Sequence, residues 1–467
     1  MTSVLETIVA NKKLEVAAGK YQSLDGPITK SKRSLKDSLM SRAPGLILEC
    51  KSASPSKGLI AKNYQPAQLA KSYQPFAAGV SVLTDEKYFQ GNMNHLKTVT
   101  QTTHLPVLCK DFVISKEQII CARSYGADAI LLMLSVLTNA LYIDLAEQAK
   151  LLDMDILTEV HNEQELDRAI QLDAMIIGIN NRDLGTLKID MATTARLASK
   201  VPKHCLMISE SGYSSNQQIN NAFSNKRSPD GFLVGSHLSA SDNTDLALRG
   251  LLFGQIKICG LKHVEEAQAA FDNGASYGGL IFSKKSPRYI EPDEALELTK
   301  VPLQWVGVFT ELVFDNSDED IPSISRRLKL KAVQIHCSAS EQQLSDLRAR
   351  LPDDCEIWLL VRVNQNTLSA SQVLLTSPSV QRFLLEPEGK LAGGNGTSFN
   401  WDLLQSLNLD KNKIVLAGGI NPDNILEAHK TAASIIDVNS GVEDRPGVKS
   451  ATKIAHLFKQ LLPGKKL

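Results

Sequence analysis

The sequence predicts an α/β protein built from two consecutive (β/α)8 barrels, the TIM-barrel architecture, with a helical extension ahead of the first. Three observations predict it. From residue 46 a short apolar strand, closed by a polar residue and followed by a helical stretch, recurs about every 20 to 35 residues. The pattern occurs eight times, starts again near residue 255, and occurs eight times more. A chain of 467 residues also leaves roughly 250 for each barrel, the usual size.

In "MTSVLETIVANKKLEVA", Val4, Leu5, Ile8 and Val9 share one helical face. That stretch lacks a basic leader and an apolar centre, so no signal peptide is expected. The basic run "KSKRSLK" reads as a solvated loop, with phosphate handling as the alternative. The first set of strands is then "LILECK", "GVSVLTD", "VLCKDF", "DAILLM", "DILTEV", "MIIGINNRD", "LMISESG" and "GFLVGS". Around Gly254, in "LRGLLFGQIKICG", a helix runs into a new strand without a Gly/Ser- or Pro-rich linker. The domains are therefore expected at 1–254 and 255–467. The second set is "QIKICG", "GGLIFS", "WVGVFT", "AVQIHC", "WLLVRV", "FLLEPE", "IVLAGG" and "IIDVNSG".

Composition excludes several classes. Lys plus Arg and Asp plus Glu both total 51, which gives no electrostatic case for a nucleic-acid or anionic-membrane partner. The apolar run "AILLMLSVL" falls short of the roughly 18 residues of a spanning helix. Seven scattered cysteines without a CxxC pair argue for a reducing compartment, with neither disulfides nor structural zinc. A cytoplasmic monomer acting on small molecules is the expectation.

Barrel chemistry sits at the C-terminal ends of the strands. In "GLILECKSASPSKG", Glu49 and Lys51 are two apart and face the same way, while Cys50 faces the other. Lys110, Glu159, Asn180, Arg182, Glu210 and Ser211 close later strands of the first set. So much charge at one mouth calls for a charged ligand. The last two strands of such a barrel usually hold phosphate, and here Gly212, Gly235 and Ser236 bring backbone N–H groups close to an anion. The second set repeats the device with Gly418, Gly419, Ser440 and Gly441, beside Gly394 and Gly396 in "AGGNG". Its first strand ends in Cys259, which can act as a base if its pKa is lowered. Arg288, Gln334, His336, Glu386 and Asp437 belong to the same mouth.

"ECKSASPSKG", "LCKDF", "LTEVH", "INNRDL" and "SESG", in this order, resemble indole-3-glycerol-phosphate synthase. "KICGL", "GLIFSKKSPRYI", "VQIH", "GGNGTSFNW", "LAGGI" and "DVNSGVE" resemble phosphoribosylanthranilate isomerase. Their order resembles the bifunctional tryptophan-biosynthesis family, over nearly the whole chain from Val4. The resemblance implies phosphosugar anthranilate substrates and no cofactor or metal. It implies that Lys110 is the synthase's general acid and that Lys51 contacts the departing carboxylate. Glu159 and Glu49 serve the cationic intermediate and the dehydration. Asn180, Arg182, Glu210 and Ser211 position the anthranilate and sugar, and Ser54 and Ser56 lie near the phosphate. For the isomerase it implies Cys259 as base and an acid after the sixth strand. The family carries Asp in that "LLD" context, and this chain carries Glu386. Cys337 stands where the family usually shows Gly, and Asn439 where Ser is common. Two rival readings follow from the same residues: a Schiff-base aldolase using Lys110 or Lys51, and an active synthase joined to a decayed, non-catalytic second barrel.

Overall fold

The computed structural model describes residues 3–55, 58–60, 64–224, 226–363, 372–387, 401 and 410–462. The chain divides into two compact units, residues 1–248 and 249–462, with the division inside the helix Thr244–Phe253.

The first unit is a closed barrel of eight parallel strands: β1 (Gly45–Cys50), β2 (Gly79–Leu83), β3 (Val107–Lys110), β4 (Ala129–Met133), β5 (Asp155–Val160), β6 (Ile176–Asn180), β7 (Leu206–Glu210) and β8 (Gly231–Val234). β1 closes it, pairing Leu46 with Phe232 of β8 and Ile47 with Gly79 of β2. Helices cover the outside and side chains fill the inside, so the strands are apolar on both faces. Many of the helices begin on a Ser, Thr or Asn just past a strand end; Thr138 accepts from Leu141 N, and Asn162 from Glu165 N.

Helix α1 (Val4–Ala17) starts at a Ser3–Glu6 capping box and buries Ile8. Its Lys12, one turn beyond Ile8 on the same face, is fully buried. The ammonium lies 2.8 Å from Asp85 and 2.8 Å from Asp111, which follow β2 and β3, and 3.0 Å from Glu15. Those bonds seat α1 over the strand ends. Removing one partner of a buried ion pair strands the other charge. Lys12→Met is therefore expected to destabilise the first unit by about 3–5 kcal/mol. A lower urea midpoint for loss of synthase activity in the intact protein would show it.

The run "KSKRSLK" is a loop as far as Ser34, with Lys30 and Lys32 exposed, but its other residues are bound. Ser31 donates to Asp128 at 2.7 Å, Arg33 pairs with Asp128 at 2.8 Å, and Ser34 donates to Asp155 at 2.9 Å. These carboxylates stand at the N-terminal ends of β4 and β5, away from the mouth. Ser34 then caps α2 (Leu35–Ser41), whose Leu35 and Leu39 occupy the space left by Gly79 and Gly45. The segment plugs the barrel floor, and Arg33 is the cation it commits there.

The second unit is another closed parallel barrel: β9 (Gln255–Cys259), β10 (Tyr277–Ile281), β11 (Gln304–Phe309), β12 (Ala332–Ile335), β13 (Glu356–Val363), β14 (Arg382–Pro387), β15 (Ile414–Leu416) and β16 (Ile435–Val438). Trp358, Tyr277, Val306, Leu384 and Val415 share its core cluster. Among the described residues, no helix is long and apolar enough to cross a membrane.

Candidate active sites

In the first barrel Glu49, Lys51, Lys110, Glu159, Asn180, Arg182, Ser211 and Ser236 line one cleft. Glu49 pairs with Lys51, and Lys110 bridges Glu49 at 3.2 Å and Glu210 at 3.4 Å. The two lysines thus stand on either side of one buried carboxylate. Burial opposes ionisation of Glu49, but Lys51 and Lys110 outweigh it and hold the carboxyl down at about 2. Burial also lowers the Lys51 ammonium, helped by Lys110 and Arg182 and opposed by Glu49. Lys110 feels the same burial, yet Glu49, Glu210 and Glu159 raise it above the ordinary lysine value. Glu210 goes the other way from Glu49: burial, with Glu159 and Glu49 adding, pushes it up to about 8. One mouth therefore holds a firmly ionised carboxylate and a carboxylic acid, with a cation between them.

Glu159 has a partner that the motif reading does not single out. His161 Nε2 lies 3.3 Å from it, and His161 Nδ1 lies 3.2 Å from Glu165. Burial lowers His161, but the two glutamates prevail and lift it to about 10. The imidazolium in turn keeps Glu159 ionised. Asn180 accepts from Arg182 N at 2.9 Å, while Arg182 Nη1 donates to Leu187 O at 2.9 Å. Ser211 has a left-handed φ of 66°, a strained conformation for a side-chain-bearing residue, and its carbonyl accepts from Asn181 Nδ2. A Cβ on Gly235 would lie 2.2 Å from Glu49 Oε1, so only glycine lets that backbone approach the carboxylate. Ser54 is buried in the hairpin Ala53–Ser54/Gly58–Leu59 at the cleft edge; Ser56 lies outside the described residues.

The remaining wall is apolar. Val4, Leu5 and Ile8 of α1 line it together with Phe89, Phe112, Met133 and Leu184, and all seven belong to one apolar cluster. The amphipathic N-terminal pattern marks the helix without indicating that its apolar face roofs the mouth.

In the second barrel Cys259 is buried beside Ile281 and Val308. Lys257 precedes it on the same face of β9. Its ammonium lies 2.8 Å from Asp437, 2.9 Å from Gln334 Oε1 and 3.3 Å from Cys259 Sγ. Gln334 Nε2 contacts His336 Nε2. Burial, with Lys257 and Arg362 adding, pushes His336 down to about 3, so the ring is neutral and that nitrogen accepts. Lys257 thus joins three residues of the motif set. Arg288 lies against Gly260, the residue after Cys259, and is held by Glu443 through two bonds of 2.8 Å. Glu443 also binds Lys449 at 2.6 Å. Glu386 lies on β14, three strands round the barrel from β9, in register with Arg362 and 6% exposed. Gly418 and Gly419 have φ of 95° and 64° and open the turn after β15. Ser440 and Gly441 form a short helical turn after β16. Gly394 and Gly396 lie outside the described residues. The thiol departs from expectation: burial raises its pKa, and Lys257 and Lys449 only partly offset this.

Groups that give and take protons, gathered at the C-terminal strand ends of closed parallel barrels, define the (β/α)8 enzymes, and this chain carries two such sets. Residues 5–251 match the family indole-3-glycerol phosphate synthase, and residues 256–460 match N-(5'-phosphoribosyl)anthranilate isomerase. The tryptophan biosynthesis protein TrpCF of Helicobacter pylori is 43% identical over 466 residues, covering 99% of each chain. That of Yersinia pestis is 42% identical, over 98% of this chain and 94% of that one. A phosphoribosyl anthranilate isomerase structure from Thermotoga maritima is 27% identical, with a TM-score of 0.38, over 44% of this chain and 98% of that chain. The chain belongs to the bifunctional tryptophan-biosynthesis family, with the synthase domain preceding the isomerase domain.

Proposed function

We propose that residues 255–467 isomerise N-(5-phosphoribosyl)anthranilate and that residues 1–254 close the product, 1-(2-carboxyphenylamino)-1-deoxyribulose 5-phosphate, to indole-3-glycerol phosphate. In the isomerase, Glu386 protonates the ring oxygen as the C1–O bond breaks, leaving a protonated imine. Cys259 takes the proton from C2. The C2–H electron pair becomes the C1=C2 bond and the imine pair moves to nitrogen, giving an enol; a proton delivered to C1 as the C2 hydroxyl gives up its own completes the ketone. Gln334, His336 and Asp437 position the substrate, with Arg288 using the edge not bound to Glu443. Gly394, Gly396, Gly418, Gly419, Ser440 and Gly441 take the phosphate.

In the synthase, Lys110 gives a proton to the ketone oxygen while the aromatic carbon bearing the carboxylate attacks the ketone carbon. Lys51 holds that carboxylate until carbon dioxide leaves. Glu49 and Glu159 stabilise the cationic intermediate and take the proton released as water departs. Asn180, Arg182, protonated Glu210 and Ser211 orient the sugar and anthranilate, and Ser54, Ser56, Gly212, Gly235 and Ser236 hold the phosphate. The observation that carries this reading is Lys110 bridging two carboxylates in a cleft whose other wall is apolar enough for an aromatic ring. Seven scattered cysteines without a CxxC pair support a cytoplasmic setting, and the balanced charge gives no support to a nucleic-acid or anionic-membrane partner; the protein is read as a monomer.

Assays of the intact protein with each substrate in turn test both halves. Glu386→Gln should lower the isomerase rate about 100-fold or more, while Glu386→Asp stays active and the synthase rate is unchanged. Near-wild-type turnover by Glu386→Gln would place the acid elsewhere in that mouth. Absence of isomerase turnover in the wild-type protein would favour the decayed second barrel.

A further inference from the structure

We infer that Lys257 is a positioning residue for the isomerase, acting through Cys259: its ammonium, set between the sulfur, Gln334 and Asp437, stabilises the anion that Cys259 must form to take the substrate's proton. The inference rests on the reading of Cys259 as the base.

The bonding pattern argues for it. An ammonium has three hydrogens to donate and no lone pair to accept with. Lys257 is fully buried, and its three partners are the Asp437 carboxylate, the Gln334 amide oxygen and the Cys259 sulfur. Toward such a cation an S–H group has nothing to donate to, so the 3.3 Å contact is satisfied only as N–H to sulfur. A thiol accepts weakly and a thiolate accepts strongly, so the third hydrogen favours the anion. Neutral His336 fixes the Gln334 amide with its oxygen toward Lys257, which keeps the ammonium in place.

The other charges facing Cys259 are already committed. Lys449, from the hairpin Glu443–Arg445/Val448–Lys449, spends its hydrogens on Glu443 and on Asn439 O and Oδ1. Arg288 is bound to the same Glu443. Arg362 acts on His336. Asp437 of β16 opposes the thiolate, as does burial, and Lys449 supports it from beyond a bond. Among the described residues, Lys257 is the cation with a hydrogen on the sulfur.

The two charges beside the sulfur therefore predict shifts of opposite sign, which a merely structural role would not produce. The Cys259 titration can be read from thiolate ultraviolet absorbance, as the difference between each variant and the same variant carrying Cys259→Ala. Lys257→Met should move the inflection to higher pH by about one pH unit or more, and Asp437→Asn should move it lower. In Lys257→Met, isomerase kcat should fall about tenfold or more near neutral pH and recover as pH rises, with KM changed less and the synthase untouched. Lys257→Arg should retain part of the effect. An inflection unmoved by Lys257→Met overturns the inference. If that variant does not fold, an unchanged or raised inflection in Asp437→Asn overturns it. Opposite shifts in a protein whose Cys259→Ala variant still isomerises would leave the coupling standing and reject Cys259 as the base.

Discussion

Lys110→Met is expected to lower indole-3-glycerol phosphate formation by about 100- to 10,000-fold, the usual range for losing a general acid, while the isomerase rate stays near wild type. The loss comes from more than one source. Lys110 donates into the cleft and also separates two buried carboxylates, lying 3.2 Å from Glu49 and 3.4 Å from Glu210. Without the ammonium, Glu210 loses the cation that restrains its upward shift, and Glu49 keeps only Lys51. Both carboxyls then shift upward, and Glu49, the one meant to remain ionised, has a single cation left against its burial. Lys110→Arg should not restore the rate, because a planar fork cannot meet both oxygens from the lysine's position. The isomerase is spared because every side-chain bond described around Cys259 comes from residues 257 to 449. Parallel assays of the intact variant with each substrate would show the split; loss of both activities in a folded protein would refute it.

The strands were legible because both signals that mark them are local. A buried parallel strand needs a continuous apolar run, and a barrel enzyme places its chemistry where that run stops. Glu49, Lys110, Glu159 and Asn180 could therefore be placed without knowing what they touch. What escaped was pairing across distance. Lys12 sits in "VANKKLEV", where Glu15 is a local partner, but Asp85 and Asp111, from two later strand ends, complete its pairing. Arg33 reads as surface charge because its carboxylate, Asp128, belongs to the floor of another strand. Arg288 belongs with Cys259 by motif, yet Glu443 holds it, and Glu443 lies in a hairpin beyond the last strand. Lys257 was within reach of sequence reasoning. Side chains alternate along a strand, so a lysine two residues before Cys259 must share its interior face.

Cys259→Ala should reduce isomerase kcat by about 100- to 10,000-fold and leave the synthase intact when its own substrate is supplied. Cys259→Ser should not rescue it. The hydroxyl can occupy the same place and accept from Lys257, so the fold survives, but an alcohol gives up its proton far less readily than a thiol near neutral pH. Lys257 makes this a test of coupling as well as of identity. If its ammonium acts through the sulfur, Lys257→Met costs rate only while the sulfur is present. Added to Cys259→Ala, it should lower the residual rate little further, so the two losses fall well short of multiplying. Independent losses would mean that Lys257 serves the reaction by another route, such as holding Asp437 for the substrate at 2.8 Å. Near-wild-type turnover by Cys259→Ala would remove the thiol from the chemistry altogether and leave Asp437, the carboxylate bound to the same lysine, as the group to test for the base.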